Sequence, residues 1–464
     1  MLNQADIKAN KNKFYRIQLL FNSADSNYYF WTRWGRVGEI GQSNLDNCGR
    51  DKNAGIAAFK KKFKDKTSER WEDGPPYTPR SGKYEVIDMK FGASAPPPLA
   101  LVSASGIVPP SKLDDKTRQL MEIIFDTDMF KSAMTDIKVD LTRMPLGAIT
   151  VSQLEKGYAV LKEIEALLTK PSLNSRERDH LISLSGNFYQ VIPHSYARST
   201  RPPPIDSNEL LSEKLNMINT LKDIEVAQSV LGNASSAGSI TENPIDAKYR
   251  QLDADLELLD PNSPDYALIT TFMDQTLGHY KRNVKLYDIW KVRRHPEDTT
   301  FPAFESIDNH HLLWHGTNIA VVAAILKTGL RIMPAVNGGR VGRGIYLADK
   351  LEKSVSYVRP TRRPDGTQFG IAFLAQAAMG RVKEITRDDG SLVAAPSGYD
   401  SVIARGREEP DPAARTTFKI DGKYVTIHQG GMVQTGVTSS FSQNEYLVYR
   451  ESQQRLRYVI SFKI

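Results

Sequence analysis

Seven residues in the last third of this 464-residue chain are suited to holding a flat ring and breaking the bond behind it. In chain order they are His315, Gly316, Tyr346, Lys353, Ser354, Tyr357 and Glu445. Two tyrosines can stack on the faces of a ring, and a positive charge on that ring strengthens the stacking. A glycosidic bond breaks through an oxocarbenium-like transition state, whose charge a nearby carboxylate stabilises. The set therefore predicts cleavage of a glycoside with a cationic leaving group.

Four motifs carry these residues in an order typical of one protein family. They are HHLLWHGT, which ends at Thr317, GRGIYLAD, KSVSY and SQNEYLVY. Together they resemble the catalytic domain of the poly(ADP-ribose) polymerase family, the DNA-dependent ADP-ribosyltransferases. The upstream stretch NPIDAKYRQLDADLELLD is similar to the start of that domain. The resemblance implies that NAD+ is the co-substrate, and that no metal is needed.

The resemblance also implies a role for each residue. The expected catalytic residues are Glu445, His315, Lys353 and Tyr346. The expected NAD-binding residues are His315, Gly316, Thr317, Arg331, Gly344, Tyr346, Ser354 and Tyr357. In this scheme Glu445 stabilises charge on the ribose, His315 holds the ribose 2′-hydroxyl and Lys353 positions Glu445. The two tyrosines sandwich the nicotinamide, and its carboxamide is bound by the Gly316 backbone and the Ser354 hydroxyl.

On the far side of the dinucleotide, Arg331 is expected to face the adenine and diphosphate, and Thr317 the adenosine ribose. Val321 stands where some relatives have asparagine, so one hydrogen bond to the adenosine is expected to be missing. The chain ends in VISFKI and lacks the Leu-Trp tail with which the best-known members meet the histone PARylation factor. That partner is therefore left open.

The product is expected to be mono-ADP-ribose rather than polymer. GYDSVIARGREEPDP and SFSQNEYLVYRESQQRLRYVI are most similar to a mostly mono-ADP-ribosylating branch of the family. Polymerising relatives also have a longer, more apolar loop where this chain reads NGGRVGRGIYLAD, near the acceptor site. Chain elongation stays open as an alternative. So do a DNA-binding scaffold with weak or no transferase activity, and a transferase that ignores DNA.

Residues 1–92 predict a small α/β module with a polyanionic partner. They hold 17 Lys and Arg against 11 Asp and Glu, so they contribute +6 of the formal net charge of +7. Alternating strands are expected in KFYRIQLLF and NYYFWTRWGRVGEIGQ, a helix in NAGIAAFKKKFKDKT and a closing strand in GKYEVIDMKFG.

The tripeptide at Trp34 to Arg36 resembles the WGR domain, with an N-terminal stretch closer to a second branch of the family. The expected DNA-binding residues are Asn12, Trp34, Arg36 and Tyr84. Trp34 is expected to stack at a broken end, and Asn12 and Tyr84 to approach the 5′-phosphate. The resemblance implies a partner with strand breaks, nicks or 5′-phosphorylated ends.

The remaining chain divides into three further parts, giving a multidomain α+β protein. A Pro/Ala/Ser-rich linker at 93–111 precedes an all-helical regulatory bundle at 112–232, and a second linker at 233–243 leads to a mixed two-sheet transferase domain at 244–464. Capping boxes are expected at Ser152 with Glu155 and at Asp206 with Glu209. In the family the bundle covers the NAD site and is loosened by DNA.

Composition excludes several other classes of protein. The single cysteine, Cys48, rules out disulfides and zinc fingers. No apolar run approaches the length of a membrane span or a signal peptide, so no membrane partner is expected. The run GGRVGRG lacks the Gly-Lys-Ser/Thr ending of a P-loop, and no dinucleotide-binding fingerprint accompanies it. We expect a nuclear enzyme whose protein acceptors include itself and, as candidates, histones.

Overall fold

A computed structural model describes most of the chain. The described residues are 1–88, 109–136, 150–170, 172–235, 242–332, 339–362 and 366–464. The two predicted linkers, 93–111 and 233–243, lie largely outside them. The chain forms two compact units, each built from two stretches of sequence. The first combines Met1–Pro97 with Phe130–Glu225, and the second combines Pro98–Met129 with Val226–Ile464.

The first unit contains, among its described residues, an antiparallel five-stranded sheet with strand order β4-β3-β2-β1-β5. Its strands are β1 (Leu2–Asp6), β2 (Lys11–Asn22), β3 (Asn27–Arg36), β4 (Gln42–Asn47) and β5 (Glu85–Val86). The two alternating strands predicted from the sequence are β2 and β3, which pair along their whole length. The predicted closing strand is shorter than expected, because only Glu85–Val86 pairs with β1 in the described part of that segment.

Helix α1 (Lys52–Thr67) packs on one face of this sheet. It begins at Asp51, whose carboxylate accepts a hydrogen bond from the backbone of Asn53. Its apolar face packs on the sheet: Phe63 is fully buried against Leu2 and Tyr15, with Phe59 partly buried beside it. The helix therefore anchors the sheet with its apolar side and leaves its lysines toward solvent.

The predicted helical bundle contains five helices among the described residues. They are α2 (Asp115–Ile124), α3 (Thr127–Asp136), α4 (Val151–Leu168), α5 (Ser175–Val191) and α6 (Asn208–Ser235). Helices α4 and α5 belong to the first unit, where α5 lies against β1 and receives two hydrogen bonds from Asn3. Helix α2 belongs to the second unit, where Thr117 accepts a hydrogen bond from the indole of Trp290. The apolar residues Leu211, Leu215, Ile218 and Leu221 of α6 are buried.

The caps of these helices differ from those predicted. Helix α4 is capped by Thr150 rather than Ser152, since the Thr150 hydroxyl accepts from the backbone of Gln153. At the start of α6 the capping oxygen comes from Ser207 rather than Asp206. A capping box forms instead at Asn174 with Glu177, where the sequence predicted only a break. Several Ser, Thr, Asp and Asn residues stood near each helix start, and only the backbone conformation selects among them.

We expect Thr150→Ala to lower the free energy of unfolding by about 1 kcal/mol, because it removes the cap of α4. The same hydroxyl also donates to Asp88, so the loss is not confined to one bond. Ser152→Ala is the matched control and should change the free energy by less than about 0.5 kcal/mol. Urea denaturation of both variants checks this, and an equal loss in the two would contradict the assigned cap.

The second unit contains a large mixed sheet, a four-stranded sheet and a small three-stranded sheet within its described residues. The large sheet is built from β6 (Ala254–Leu258), β7 (Lys285–Arg294), β8 (His310–Gly316), β10 (Thr361–Arg362), β11 (Gln368–Ala378), β15 (Thr416–Ile420), β16 (Lys423–Ile427) and β20 (Gln454–Lys463). The four-stranded sheet contains β9 (Ile345–Leu347), β12 (Val382–Ile385), β13 (Ser401–Ala404) and β19 (Glu445–Val448). The smallest contains β14 (Gly406–Pro410), β17 (Met432–Gln434) and β18 (Phe441–Gln443). The predicted two-sheet α/β architecture is confirmed, with the small sheet as an addition.

Short helices connect these strands. They are α7 (Pro244–Gln251), α8 (Pro264–Thr276), α9 (Glu297–Thr300), α10 (Pro302–Glu305), α11 (Val322–Thr328) and α12 (Leu351–Val355). Helix α11 ends at Gly329, where a φ of 79° suits a residue without a Cβ. Helix α12 follows β9 closely and returns the chain to the end of β8. This return is what places α12 beside the residues singled out above.

The core of the second unit is centred on the middle strands of its large sheet. Strands β8, β11 and β20 are buried on both faces, and β11 is a nearly continuous apolar run. Trp314 on β8 is fully buried and packs against Phe272 of α8. The packing of β8 fixes the position of the two residues at its end, His315 and Gly316.

Candidate active site

His315 lies at the end of β8 with one ring nitrogen already committed. Its Nδ1 is 3.0 Å from the backbone carbonyl oxygen of Tyr346. A carbonyl only accepts hydrogen bonds, so Nδ1 carries the proton. Burial lowers the pKa of His315, and the bond to the Tyr346 carbonyl opposes that shift. A neutral ring with this tautomer presents Nε2 as an acceptor, which is what binding of a hydroxyl group requires.

Gly316 and Ser354 meet where β8 passes α12. A Cβ built on Gly316 would overlap the carbonyl oxygen of Ser354 and lie 2.6 Å from its carbonyl carbon. Only glycine allows α12 to approach the strand this closely. Ser354 is buried, and its carbonyl accepts from the backbone of Tyr357. The contact thus links the end of β8 to both the serine and the tyrosine predicted from KSVSY.

Tyr346 on β9 is fixed through its hydroxyl group. The hydroxyl donates to the Gly342 carbonyl at 2.7 Å and accepts from the backbone of Val341 at 3.1 Å. Burial raises the pKa of Tyr346, so the phenol stays protonated. A Cβ at Gly339 would overlap this hydroxyl, so the preceding loop closes tightly around the ring's far end. Tyr357 differs in being 61% exposed, which leaves its ring open to a stacking partner.

Glu445 and Lys353 form a partly buried ion pair. Lys353 Nζ lies 2.8 Å from Glu445 Oε1 and donates to the carbonyl of Asn444 at 3.1 Å. Glu445 is 8% exposed, at the first position of β19. Burial lowers the pKa of Lys353, while Glu445 raises it. Because both side chains are largely buried, a charge on Glu445 acts more strongly on a positive charge developing nearby than it would in bulk water.

Strand pairing brings these residues together from distant parts of the sequence. Tyr346 on β9 is the register partner of Leu447 on β19, two residues beyond Glu445. Trp314, the residue before His315, forms a β-bridge with Ala348 just after β9. The seven residues predicted to hold and cleave the substrate therefore lie on β8, β9, α12 and β19 and the turn after α12.

Three further predicted residues lie around this group. Thr317 follows β8 and is half-buried. Gly344 precedes β9, where a Cβ would lie 2.9 Å from the carbonyl oxygen of Val448. Arg331 follows Gly329 in the segment after α11 and is half-buried. Its role toward the adenine and diphosphate stays a prediction.

One part of the site was missed by the sequence reasoning. Asn444, directly before Glu445, is buried and bonds to the carboxylates of Asp349 and Glu409. All three residues are polar and buried. Their hydrogen bonds connect the segment just after β9, strand β14 and the residue just before β19. A buried asparagine inside the quoted motif SQNEYLVY was the available signal. Its partners are 35 and 95 residues away, so spacing could not reveal them.

The residues predicted to bind DNA are separated in the first unit. Trp34 is half-buried and stacks on Tyr15, with ring centroids 5.7 Å apart and an interplanar angle of 12°. Tyr84 meets Tyr15 edge-on at 6.0 Å, and Lys66 Nζ lies 4.5 Å from the centroid of the Tyr15 ring. Trp34 and Tyr84 thus belong to one aromatic group with a cation beside it, a combination suited to nucleic acid.

Asn12 and Arg36 instead form hydrogen bonds with residues 194–200, in the loop that follows α5. Asn12 is 1% exposed and donates to the carbonyl of His194 at 2.9 Å. The structure therefore does not bring its side chain to the surface. Arg36 makes five hydrogen bonds, which go to Asn10 and to the carbonyls of Tyr196, Ala197 and Thr200. The side chain of Arg36 therefore contacts the loop that follows α5, and its role in DNA binding stays a prediction.

In the described part of the chain, no group of three or more His, Cys, Asp or Glu side chains could hold a metal ion. No helix within those residues is long and apolar enough to cross a membrane.

Comparisons with protein-family models give three matches along the chain. Residues 1–77 match the WGR domain, residues 111–249 the poly(ADP-ribose) polymerase regulatory domain, and residues 263–464 the poly(ADP-ribose) polymerase catalytic domain. The catalytic match contains all ten residues predicted to bind or act on NAD+, including Thr317, Arg331 and Gly344. Fold and site together define an NAD+ ADP-ribosyltransferase.

Curated relatives extend this similarity over the whole chain. Protein mono-ADP-ribosyltransferase PARP3 of Mus musculus is 43% identical over 100% of this chain and 87% of the relative. The PARP3 of Homo sapiens is 42% identical over 99% of the chain and 86% of the relative. Poly [ADP-ribose] polymerase 2 of Arabidopsis thaliana is 32% identical over 100% and 72%. The chain belongs to the poly(ADP-ribose) polymerase family, and the resemblance predicted from its motifs is confirmed.

Proposed function

We propose that this protein is a mono-ADP-ribosyltransferase that is activated by DNA strand breaks and acts in the nucleus in DNA repair. The observation that carries the proposal is the direct contact among the predicted residues: His315 with Tyr346, Gly316 with Ser354, and Lys353 with Glu445. Those contacts form a site for a ring and a carboxylate beside it. The names of the PARP3 relatives support the mono-transfer product.

In the proposed reaction the nicotinamide lies between Tyr346 and Tyr357, and its carboxamide bonds to the Gly316 backbone and the Ser354 hydroxyl. His315 Nε2 accepts a hydrogen bond from a ribose hydroxyl. The bond between the ribose C1′ and the nicotinamide nitrogen breaks, and nicotinamide leaves with the bonding electrons as a neutral molecule. Glu445 stabilises the positive charge that develops on the ribose.

The acceptor then completes the reaction. A nucleophilic oxygen on the acceptor protein forms the new bond to C1′, and its proton passes to Glu445 or to solvent. The acceptors include the enzyme itself and histones. The tight closure of the loop from Gly339 to Gly344 around the Tyr346 hydroxyl supports a confined acceptor side, where one ADP-ribose unit is added without elongation.

The first experiment measures nicotinamide release from NAD+ with and without a nicked, 5′-phosphorylated duplex, and reads the mass of the modified protein. Release that rises with the nick, and single ADP-ribose increments, would support both the mono-transfer product and activation by DNA breaks. A ladder of masses would replace mono-transfer by chain elongation. Tight nick binding with no release under either condition would indicate an inactive scaffold, and equal release with and without DNA would remove the trigger.

We expect Trp34→Ala to raise the dissociation constant for a nicked duplex by about 10- to 100-fold, because stacking of one base contributes roughly 1–3 kcal/mol. Fluorescence anisotropy with a labelled duplex measures this. Phe21→Ala is the matched control: Phe21 is an aromatic residue of the same sheet, 56% exposed and remote from the Trp34 group. Equal affinity of wild type and Trp34→Ala would remove Trp34 from the DNA-binding surface.

A further inference from the structure

The side chain directly before Glu445 makes three hydrogen bonds in a fully buried position. Asn444 is 0% exposed, and its Oδ1 accepts from the backbone of Gly406 at 2.7 Å. Its Nδ2 donates to Asp349 Oδ2 at 2.8 Å and to Glu409 Oε2 at 3.1 Å. Both hydrogens of the amide and its oxygen are thus engaged, which leaves the group a single orientation.

The backbone of the same residue holds the catalytic ion pair. Lys353 Nζ donates to the Asn444 carbonyl at 3.1 Å while it contacts Glu445 Oε1 at 2.8 Å. The lysine is therefore fixed between one oxygen of Asn444 and one oxygen of Glu445. Any shift of the Asn444 backbone moves the lysine and the carboxylate together.

The two carboxylates that meet at Asn444 would repel each other without it. Burial raises the pKa of Asp349 to about 6, and the neighbouring Glu409 acts in the same direction. Asp349 also accepts from the Tyr446 hydroxyl at 3.1 Å, and Glu409 contacts Arg405 at 3.0 Å and Arg415 at 3.3 Å. The amide of Asn444 supplies a neutral hydrogen-bond donor to both acids.

We propose that Asn444 is a positioning residue of the transfer reaction, whose amide bridges Asp349 and Glu409 and so holds Lys353 and Glu445 in place. The inference rests on the proposed role of Glu445, through which Asn444 acts. Asn444 has no part in holding the nicotinamide ring, which lies on the side of Gly316 and Tyr346. Its loss should therefore lower kcat and leave the KM for NAD+ within about threefold.

The test compares Asn444→Asp with Asn444→Ala in nicotinamide release between pH 6 and pH 8. At pH 8, Asn444→Asp places a third carboxylate beside two others, and both variants are expected to lose about 100-fold in kcat. As the pH falls, the clustered acids of Asn444→Asp take up a proton, and the resulting O–H can donate as the amide did. The ratio of its rate to that of wild type should then rise about tenfold, whereas the ratio for Asn444→Ala stays flat.

The ionisable groups facing this position are Asp349, Glu409, Lys353, Tyr446, Arg405 and Arg415. Dividing the rate of each variant by the wild-type rate at the same pH cancels the pH dependence that the unaltered enzyme already has. The stacked rings of His311 and His428 have centroids 5.8 Å and 5.4 Å from that of Tyr446. Any effect of this pair on the pH dependence of the unaltered enzyme cancels in the same ratio. Asn262→Asp, an exposed amide-to-acid change, is the control and should show wild-type rates at every pH.

Glu445→Gln is measured in the same assay. A failure of the proposed role of Glu445 can then be told apart from a failure of the proposed role of Asn444. Wild-type activity in Glu445→Gln would overturn the role of Glu445. Loss in Glu445→Gln with wild-type kcat in both Asn444 variants would overturn the positioning role alone, and so would a flat pH ratio for Asn444→Asp. If Asn444→Asp does not fold, Asn444→Ser replaces it, since its hydroxyl keeps one donor without a charge. Its kcat should lie between wild type and Asn444→Ala, and equality with Asn444→Ala would contradict the bridge.

Discussion

Glu445→Gln is expected to lower the kcat of nicotinamide release by about 10²- to 10³-fold, the loss typical of removing one oriented electrostatic group. The amide has the shape of the carboxylate but no charge to place beside the ribose. Lys353 keeps its bond to the Asn444 carbonyl in this variant, so the site should stay assembled. The KM for NAD+ should change little, because ring binding depends on other residues.

Glu257→Gln is the control for that measurement. Glu257 is exposed on β6, and loss of its charge should leave kcat unchanged. Near-wild-type release by Glu445→Gln would mean that the charge developing on the ribose is stabilised by another group. An unfolded Glu445→Gln protein would be recognised by its thermal denaturation, which we expect to match that of wild type within a few degrees.

Gly316→Ala should raise the KM for NAD+ by at least about tenfold and lower the free energy of unfolding by about 1–3 kcal/mol. The added Cβ would overlap the Ser354 carbonyl, and the atoms it meets are backbone atoms that no rotamer change can move. Helix α12 must then shift away from β8, which displaces Ser354 and Tyr357 together. Both residues are proposed to hold the nicotinamide, so binding suffers before the chemical step does.

Gly431→Ala provides a control of the same chemical change. A Cβ there would meet nothing within 4 Å, and the residue has no left-handed backbone conformation that would disfavour alanine. Initial rates over a range of NAD+ concentrations and urea denaturation of both variants measure the two effects. Unaltered KM and stability in Gly316→Ala would show that the strand and α12 have room that the structure does not display.

The local motifs, together with the family resemblance that they carry, predicted which residues approach one another in the second unit. His315, Tyr346 and Glu445 were recognised from local motifs, and strand pairing then joined them. The pairing itself could not be predicted from composition, because β19 reaches β9 across about a hundred residues of chain. The family resemblance supplied that information where spacing did not.

The features that the sequence did not predict depend on the surrounding fold, chiefly on hydrogen bonds between buried polar groups that lie far apart in the chain. Asn12 was expected near a phosphate, yet its amide is used inside the protein by the His194 carbonyl. The cap of α4 fell to Thr150 because its backbone, with ψ of 155°, has the extended conformation that a cap requires. Side-chain type limits the candidates in each case, and the surrounding fold makes the choice.

Asn3, Asn12 and Arg36 of the five-stranded sheet donate hydrogen bonds to residues 189–200, at the end of α5 and in the loop that follows it. The stability of the sheet and that of this segment therefore depend on each other. Each of these donors is buried or half-buried, and loss of its acceptor would leave an unsatisfied polar group at a cost of about 1–3 kcal/mol. A fragment that ends near residue 92 would lose these acceptors together with the surface that residues 189–200 cover. The module proposed to bind DNA thus depends on hydrogen-bond acceptors that lie about a hundred residues further along the chain.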